Sequence, residues 1–83
     1  MNNKKIAVIG LGYVGLPLAR LFATKYPTVG FDLNQDRVDE LMSGHDSTLE
    51  VSDDLLQSAL MNGLICTTQI EDIRDCNFYV VDP

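Results

Sequence analysis

The sequence predicts an α/β fold: a Rossmann-like three-layer arrangement around a parallel sheet of about four strands in the order 3-2-1-4, the first half of a doubly wound domain. Three observations predict it. Short apolar, β-branched runs recur along the chain in the form taken by strands buried on both faces. Segments with helical apolar spacing separate them, and such crossovers give parallel strands with right-handed connections. Gly, Pro, Asn and Asp mark the junctions, and neither an internal repeat nor a linker is visible.

Residues 4–9, KKIAVI, are the first predicted strand. In YVGLPLARLFATKY, Val14, Leu18, Leu21 and Phe22 have helical spacing, with small Ala19 and Ala23 between them. Pro17 falls near the first turn of that helix, where backbone N–H groups lack a helical acceptor. Pro27 pushes Tyr26 out of the α region and ends the helix there. Residues 28–33, TVGFDL, are a second strand, and Asp32 or Asn34 can cap the next helix, QDRVDELMSG. Val38, Leu41 and Met42 are its apolar stripe and Gly44 its stop.

HDSTLEV reads as a polar loop. Ser52 opens a third helix with Asp53 and Asp54 in its first turn, Leu55, Leu56, Ala59 and Leu60 on one face, and Gly63 at its end. LICTT is the third strand, QIEDIRD a helical turn or loop, and CNFYVV the fourth strand. No helix follows that strand, so one sheet face beside it is expected to lie bare. Residues 1–83 are expected to be the opening segment of a larger domain.

Charge excludes one class of partner. The chain carries twelve acidic and six basic side chains, net −6, whereas nucleic-acid binding needs clustered Lys and Arg. The apolar runs fall far short of the roughly 20 residues of a membrane span, and IAVIGLG is too short and glycine-rich for a signal peptide. The expected location is therefore cytoplasmic, with no membrane partner. Cys66 and Cys76 have no metal-ligand spacing and sit in apolar strand contexts, which reads as core packing. No metal is expected.

The pattern Gly10-x-Gly12-x-x-Gly15 begins directly after a strand and runs into a helix. By itself it is a weak signal, equally consistent with a tight turn, but this context makes it the dinucleotide fingerprint. Gly10 allows the turn out of the strand, Gly12 lets a pyrophosphate approach, and Gly15 lets the helix pack on the sheet. The pyrophosphate would meet amides near Tyr13 and Val14 at the positive end of the helix dipole. Asp32 stands roughly 20 positions on, at the end of the second strand. A carboxylate there accepts from ribose hydroxyls and repels a 2′-phosphate, which selects NAD over NADP; otherwise it is a helix cap. Arg37 could lie over the adenine, pair with Asp36 or Glu40, or be a solvated surface arginine. His45 and Glu50 read as ordinary loop residues. Tyr13 either covers the pyrophosphate or is simply exposed.

KIAVIGLGYVGLPLA, YPTVGFDLNQDRVDEL and SGHDSTLEVSDDLL together resemble the N-terminus of the UDP-glucose/GDP-mannose dehydrogenases. The GHDSTLEV loop is similar to the branch that acts on UDP-N-acetylhexosamines, including enzymes of the Vi-polysaccharide type. The resemblance runs to about Val81. It implies an NAD-dependent oxidoreductase that takes the C6 alcohol of a UDP-sugar to the carboxylate in two steps, for surface polysaccharide biosynthesis. By position it implies pyrophosphate contacts at Tyr13 and Val14, the adenosine ribose at Asp32 and the adenosine end at Arg37.

The family continues its fourth strand into a VPTP-like segment that also touches the cofactor. VVDP departs from that pattern at Asp82. The family's catalytic cysteine lies far downstream, and neither Cys66 nor Cys76 matches its motif. No catalytic residue is therefore expected in these residues, which alone should bind the cofactor weakly and turn nothing over. The competing expectation is a stand-alone NAD- or adenine-nucleotide-binding regulatory module. A UDP-sugar is the expected small-molecule partner, and an open final strand invites a homodimer.

Overall fold

The computed structural model describes residues 4–82. Residues 1–3 of the basic start and Pro83 of the terminal VVDP lie outside the described residues. The chain runs β1 (Ile6–Ile9), α1 (Gly15–Phe22), β2 (Thr28–Phe31), α2 (Gln35–Met42), α3 (Asp53–Met61), β3 (Ile65–Thr67), a 3-10 turn (Ile70–Ile73) and β4 (Phe78–Val81). The four strands are parallel and ordered β3-β2-β1-β4, as expected from the sequence. β1 is a central strand, with Ile6 opposite both Thr28 and Phe78.

Alternation along β1 divides the core. Ile6 and Val8 face the helices, in one cluster with Leu16 of α1, Leu41 of α2 and Leu56 of α3. Each of those leucines is fully buried, and burial of one such side chain contributes about 1.5–3 kcal/mol. Ala7 faces the other way, with Val29 and Phe31, beneath Ile73 and Cys76 of the β3–β4 connection. No helix among the described residues covers that second face near β4. Tyr79 and Val81 are exposed there, and Tyr79 Oη donates to the Ile73 carbonyl at 2.6 Å.

One local expectation is corrected and one open alternative is decided. The buried face of α1 is Gly15, Leu16 and Ala19, continued by Ala23, whereas Val14 and Leu21 are exposed. Gly15 brings the helix axis close to the sheet, so small Ala19 and Ala23 lie against it beside the single large Leu16. The cap of α2 is Asn34, whose side chain accepts from the Arg37 amide; Asp32 is directed elsewhere. Ser52 caps α3 through the Leu55 amide, as expected.

Candidate functional site

Backbone geometry at the C-terminal end of β1 leaves glycine little competition. Gly10 has φ +96°, in the region that side chains avoid, and its amide donates to the Phe31 carbonyl at 2.8 Å. A Cβ on Gly15 would lie 1.7 Å from the Gly10 carbonyl oxygen, an impossible contact. A Cβ on Gly12 would meet nothing nearer than Asp82 Oδ2 at 3.6 Å. Gly10 and Gly15 are thus fixed by the protein's own packing. Gly12 is not, so the fold alone gives no steric reason for its missing side chain.

Between them the loop presents bare amides. Neither Tyr13 nor Val14 donates its N–H to an acceptor among the described residues. Both side chains are exposed, and Tyr13 lies over nothing. The amides precede the first turn of α1, where the helix dipole adds the equivalent of about half a positive charge. The Gly15 amide already has a partner: it donates to Asp82 Oδ2 at 3.3 Å.

Asp32 follows β2 and is held by the main chain on both sides. Its Oδ2 accepts from the Leu11 amide and its Oδ1 from the Asn34 amide, each at 2.9 Å. These contacts clamp the carboxylate beside the glycine loop and leave it lone pairs for further donors. An open cleft of 410 Å³ lies there, walled by Ile9, Phe31, Leu33 and Ile70, with Asp32 and Asp82 on its lining. This is the crevice beyond the carboxyl ends of parallel strands where α/β sheets bind ligands. A second concavity, of 490 Å³, lies by Lys5, Thr28 and Ile65 at the opposite ends of the strands. Glu71, Asp72 and Asp75 make its rim acidic, unsuited to a phosphate.

Arg37 is neither solvated nor paired with Asp36. Its Nε donates to the Leu11 carbonyl at 2.8 Å, and its Nη1 reaches Asp46 Oδ1 at 2.8 Å and Glu40 Oε2 at 3.2 Å. Only 11 % of its side chain is exposed, and Nη2 is buried without a hydrogen-bond partner. Asp46 is fully buried. It also accepts from the Thr48 hydroxyl and from the amides of Thr48, Glu50 and Val51. Burial alone would raise its pKa, but the Thr48 and Arg37 bonds and these amides hold the carboxyl well below the usual range. Glu40 accepts from the Ser47 amide in the same network, and that bond lowers its pKa.

Two residues bonded into this region were not singled out as site residues from sequence. Asp46 was hidden in a stretch read as polar loop, although Asp-x-Thr is a local turn signal that could have marked it. Asp82 was visible only as a departure from a motif. His45 is not an isolated loop histidine: its Nδ1 lies 2.9 Å from Asp53 Oδ1, and that contact raises its pKa. Glu50 is exposed. Cys66 and Cys76 are buried free thiols, and burial pushes Cys66 up to about 11. Among the described residues no three His, Cys, Asp or Glu side chains form a metal-binding group.

A glycine cradle at a strand–helix junction, uncovered amides over a helix N-terminus and a clamped carboxylate on the neighbouring strand fit a dinucleotide, and they define a nucleotide-binding α/β domain. More narrowly, the chain belongs to the UDP-glucose/GDP-mannose dehydrogenase family: the model of its NAD-binding domain matches residues 4–82. Over 81 residues it is 49 % identical to the UDP-N-acetyl-D-glucosamine 6-dehydrogenases of Pseudomonas aeruginosa and Salmonella typhi. Those matches cover 98 % of this chain and 19 % of each relative, so the chain spans about a fifth of their length. Among solved structures, UDP-D-ManNAc dehydrogenase from Pyrococcus horikoshii superposes with a TM-score of 0.89 at 36 % identity, over 94 % of this chain and 19 % of that one. The regulatory-module reading finds no support in these matches, which are dehydrogenases.

Proposed function

We propose that the chain is the N-terminal cofactor-binding segment of an NAD-dependent dehydrogenase that oxidises the C6 alcohol of a UDP-N-acetylhexosamine to the uronic acid. Gly10, Gly12 and Gly15 shape the pyrophosphate seat, and the Tyr13 and Val14 amides donate to it. Asp32 accepts from the adenosine ribose hydroxyls, and Arg37, bonded to the Leu11 carbonyl, serves the adenosine end. The apolar walls of the cleft, Ile9, Phe31, Leu33 and Ile70, take the adenine. NAD, when bound, supplies the hydride acceptor; these residues orient its adenosine half and carry no proton in the reaction.

The observation that carries the cofactor reading is the pair of unsatisfied Tyr13 and Val14 amides beside Gly12, a glycine that the protein's own packing does not require. The sugar class rests on the relatives' names, and the role as one segment of a longer enzyme on the 19 % coverage. A cytoplasmic location accords with two buried free thiols and with the lack, among the described residues, of a helix long and apolar enough to cross a membrane.

Calorimetric titration tests the cofactor part: NAD should bind at least tenfold more tightly than NADP. Equal affinity would refute the role of Asp32, and binding of neither at millimolar concentration would refute the site. For the activity, the complete gene product should form NADH from UDP-N-acetylglucosamine or its epimers. Lack of turnover in a protein that binds NAD would refute the substrate assignment.

A further inference from the structure

Asp82 occupies a place no part of the cofactor reading uses. Its backbone continues β4, with its amide donating to the Ile9 carbonyl at 2.8 Å. That bond carries its side chain over the glycine loop. A Cβ on Gly10 would fall 2.8 Å from Asp82 Cβ, too close for any side chain, so Asp82 packs directly against the bare face of Gly10. Asp82 Oδ2 then accepts from the Gly15 amide at 3.3 Å and lies 3.6 Å from the position a Gly12 Cβ would take. A carboxylate oxygen thus sits between the three glycines, on the amide that opens α1.

We propose that Asp82 is an internal anion in the phosphate seat, which a dinucleotide must displace, and that it sets a low affinity for NAD. The inference rests on the cofactor reading above and says which residue of this chain limits it. Three physical effects act together. The carboxylate satisfies the Gly15 amide that a phosphate oxygen would otherwise take. It neutralises the positive end of the helix dipole. It also repels an incoming diphosphate across a few ångströms, where solvent screening is incomplete. Its backbone is pinned by the ladder, so displacement has to come from rotation of the side chain. The residue is partly exposed, which leaves space for that rotation.

The test compares the wild-type chain with Asp82→Asn and Asp82→Ala, titrated with NAD and separately with inorganic pyrophosphate, which carries the seated chemistry alone. Both variants should bind each probe on the order of tenfold more tightly than wild type at low salt, converging as salt rises. Equal or weaker binding by the variants overturns the proposal while leaving the cofactor site standing. Failure of all three chains to bind NAD overturns both. A measurement on the wild-type chain stands apart from variant folding. Saturating pyrophosphate should shift the Gly15 amide and Asp82 carboxyl-carbon resonances together as the contact breaks, and pyrophosphate binding with both unmoved overturns the proposal.

Discussion

Arg37 on α2 and the buried carboxylate of Asp46 meet at 2.8 Å, and the same guanidinium holds the Leu11 carbonyl inside the glycine loop at 2.8 Å. One side chain therefore ties the candidate phosphate seat to the loop between α2 and α3. Removing one partner of a buried pair leaves the other charge without compensation, a loss of about 3–5 kcal/mol. Asp46→Ala is expected to destabilise the chain by about that amount in urea denaturation. Because the Asp46 pKa is lowered from 3.8 in the folded state, its contribution is complete above that value and is lost as pH falls through the lowered one. The acid limb of the wild-type stability curve should therefore flatten in Asp46→Ala; an unchanged limb would contradict the assignment.

Gly12 and Gly15 should separate ligand binding from folding. Gly15→Ala drives a methyl into the Gly10 carbonyl at 1.7 Å, so α1 must move, at a cost of about 3 kcal/mol or more. Gly12→Ala meets only ordinary contact at 3.6 Å. It is expected to keep the wild-type denaturation midpoint and to lose NAD affinity at least tenfold. If Gly12→Ala binds NAD normally, the loop is a turn and nothing more.

Asp32→Ala removes the acceptor proposed for the ribose hydroxyls and also the clamp on the Leu11 and Asn34 amides. NAD binding should weaken by about 1–3 kcal/mol. Asp32→Asn, which keeps an acceptor oxygen but removes the charge, should narrow the preference for NAD over NADP. Calorimetry with both nucleotides reads the two effects separately.

The His45–Asp53 contact predicts a mild pH dependence. The folded-state pKa of His45 is raised above the ordinary 6.5, first by the Asp53 hydrogen bond and then by its charge. Its stabilisation is therefore fully present below 6.5 and fades as pH rises through the raised value. Denaturation midpoints should fall over that interval in wild type but not in His45→Gln. The pair is about half exposed on each side, so the effect should also shrink with added salt.

Cys66 faces the helices with its thiol pushed up to about 11 by burial. The thiol is the unreactive form. Iodoacetamide should leave Cys66 unlabelled at pH 8 in the folded chain and modify it once urea unfolds the protein. Rapid labelling under native conditions would show that the core opens far more often than this packing implies.

Much of this architecture was legible because strand and helix signals alternate with few ambiguities. IAVI, TVGF and FYVV carry short apolar runs bounded by turn residues, and the order β3-β2-β1-β4 follows from right-handed crossovers. The face of α1 was misread for a physical reason. Periodicity weights large residues such as Val14 and Leu21, which lie exposed, whereas the close approach set by Gly15 buries Leu16, Ala19 and Ala23, with Phe22 packed at the edge. The contact between Arg37 and Asp46 escaped because it depends on how the polar loop folds back, which no local spacing encodes. Asp82 escaped as a site residue because its position over Gly15 exists only once β4 has paired with β1.

That pairing has a consequence for synthesis on the ribosome. β1 waits for β4 before its second flank is closed, with Ile6 opposite Phe78. Until then the nascent chain holds a glycine loop with one wall, and helices with no finished surface to settle on. Contacts so distant in sequence are slow to form, so a nucleotide present during translation would meet the glycine loop and Asp32 before β4 has closed the far flank of β1.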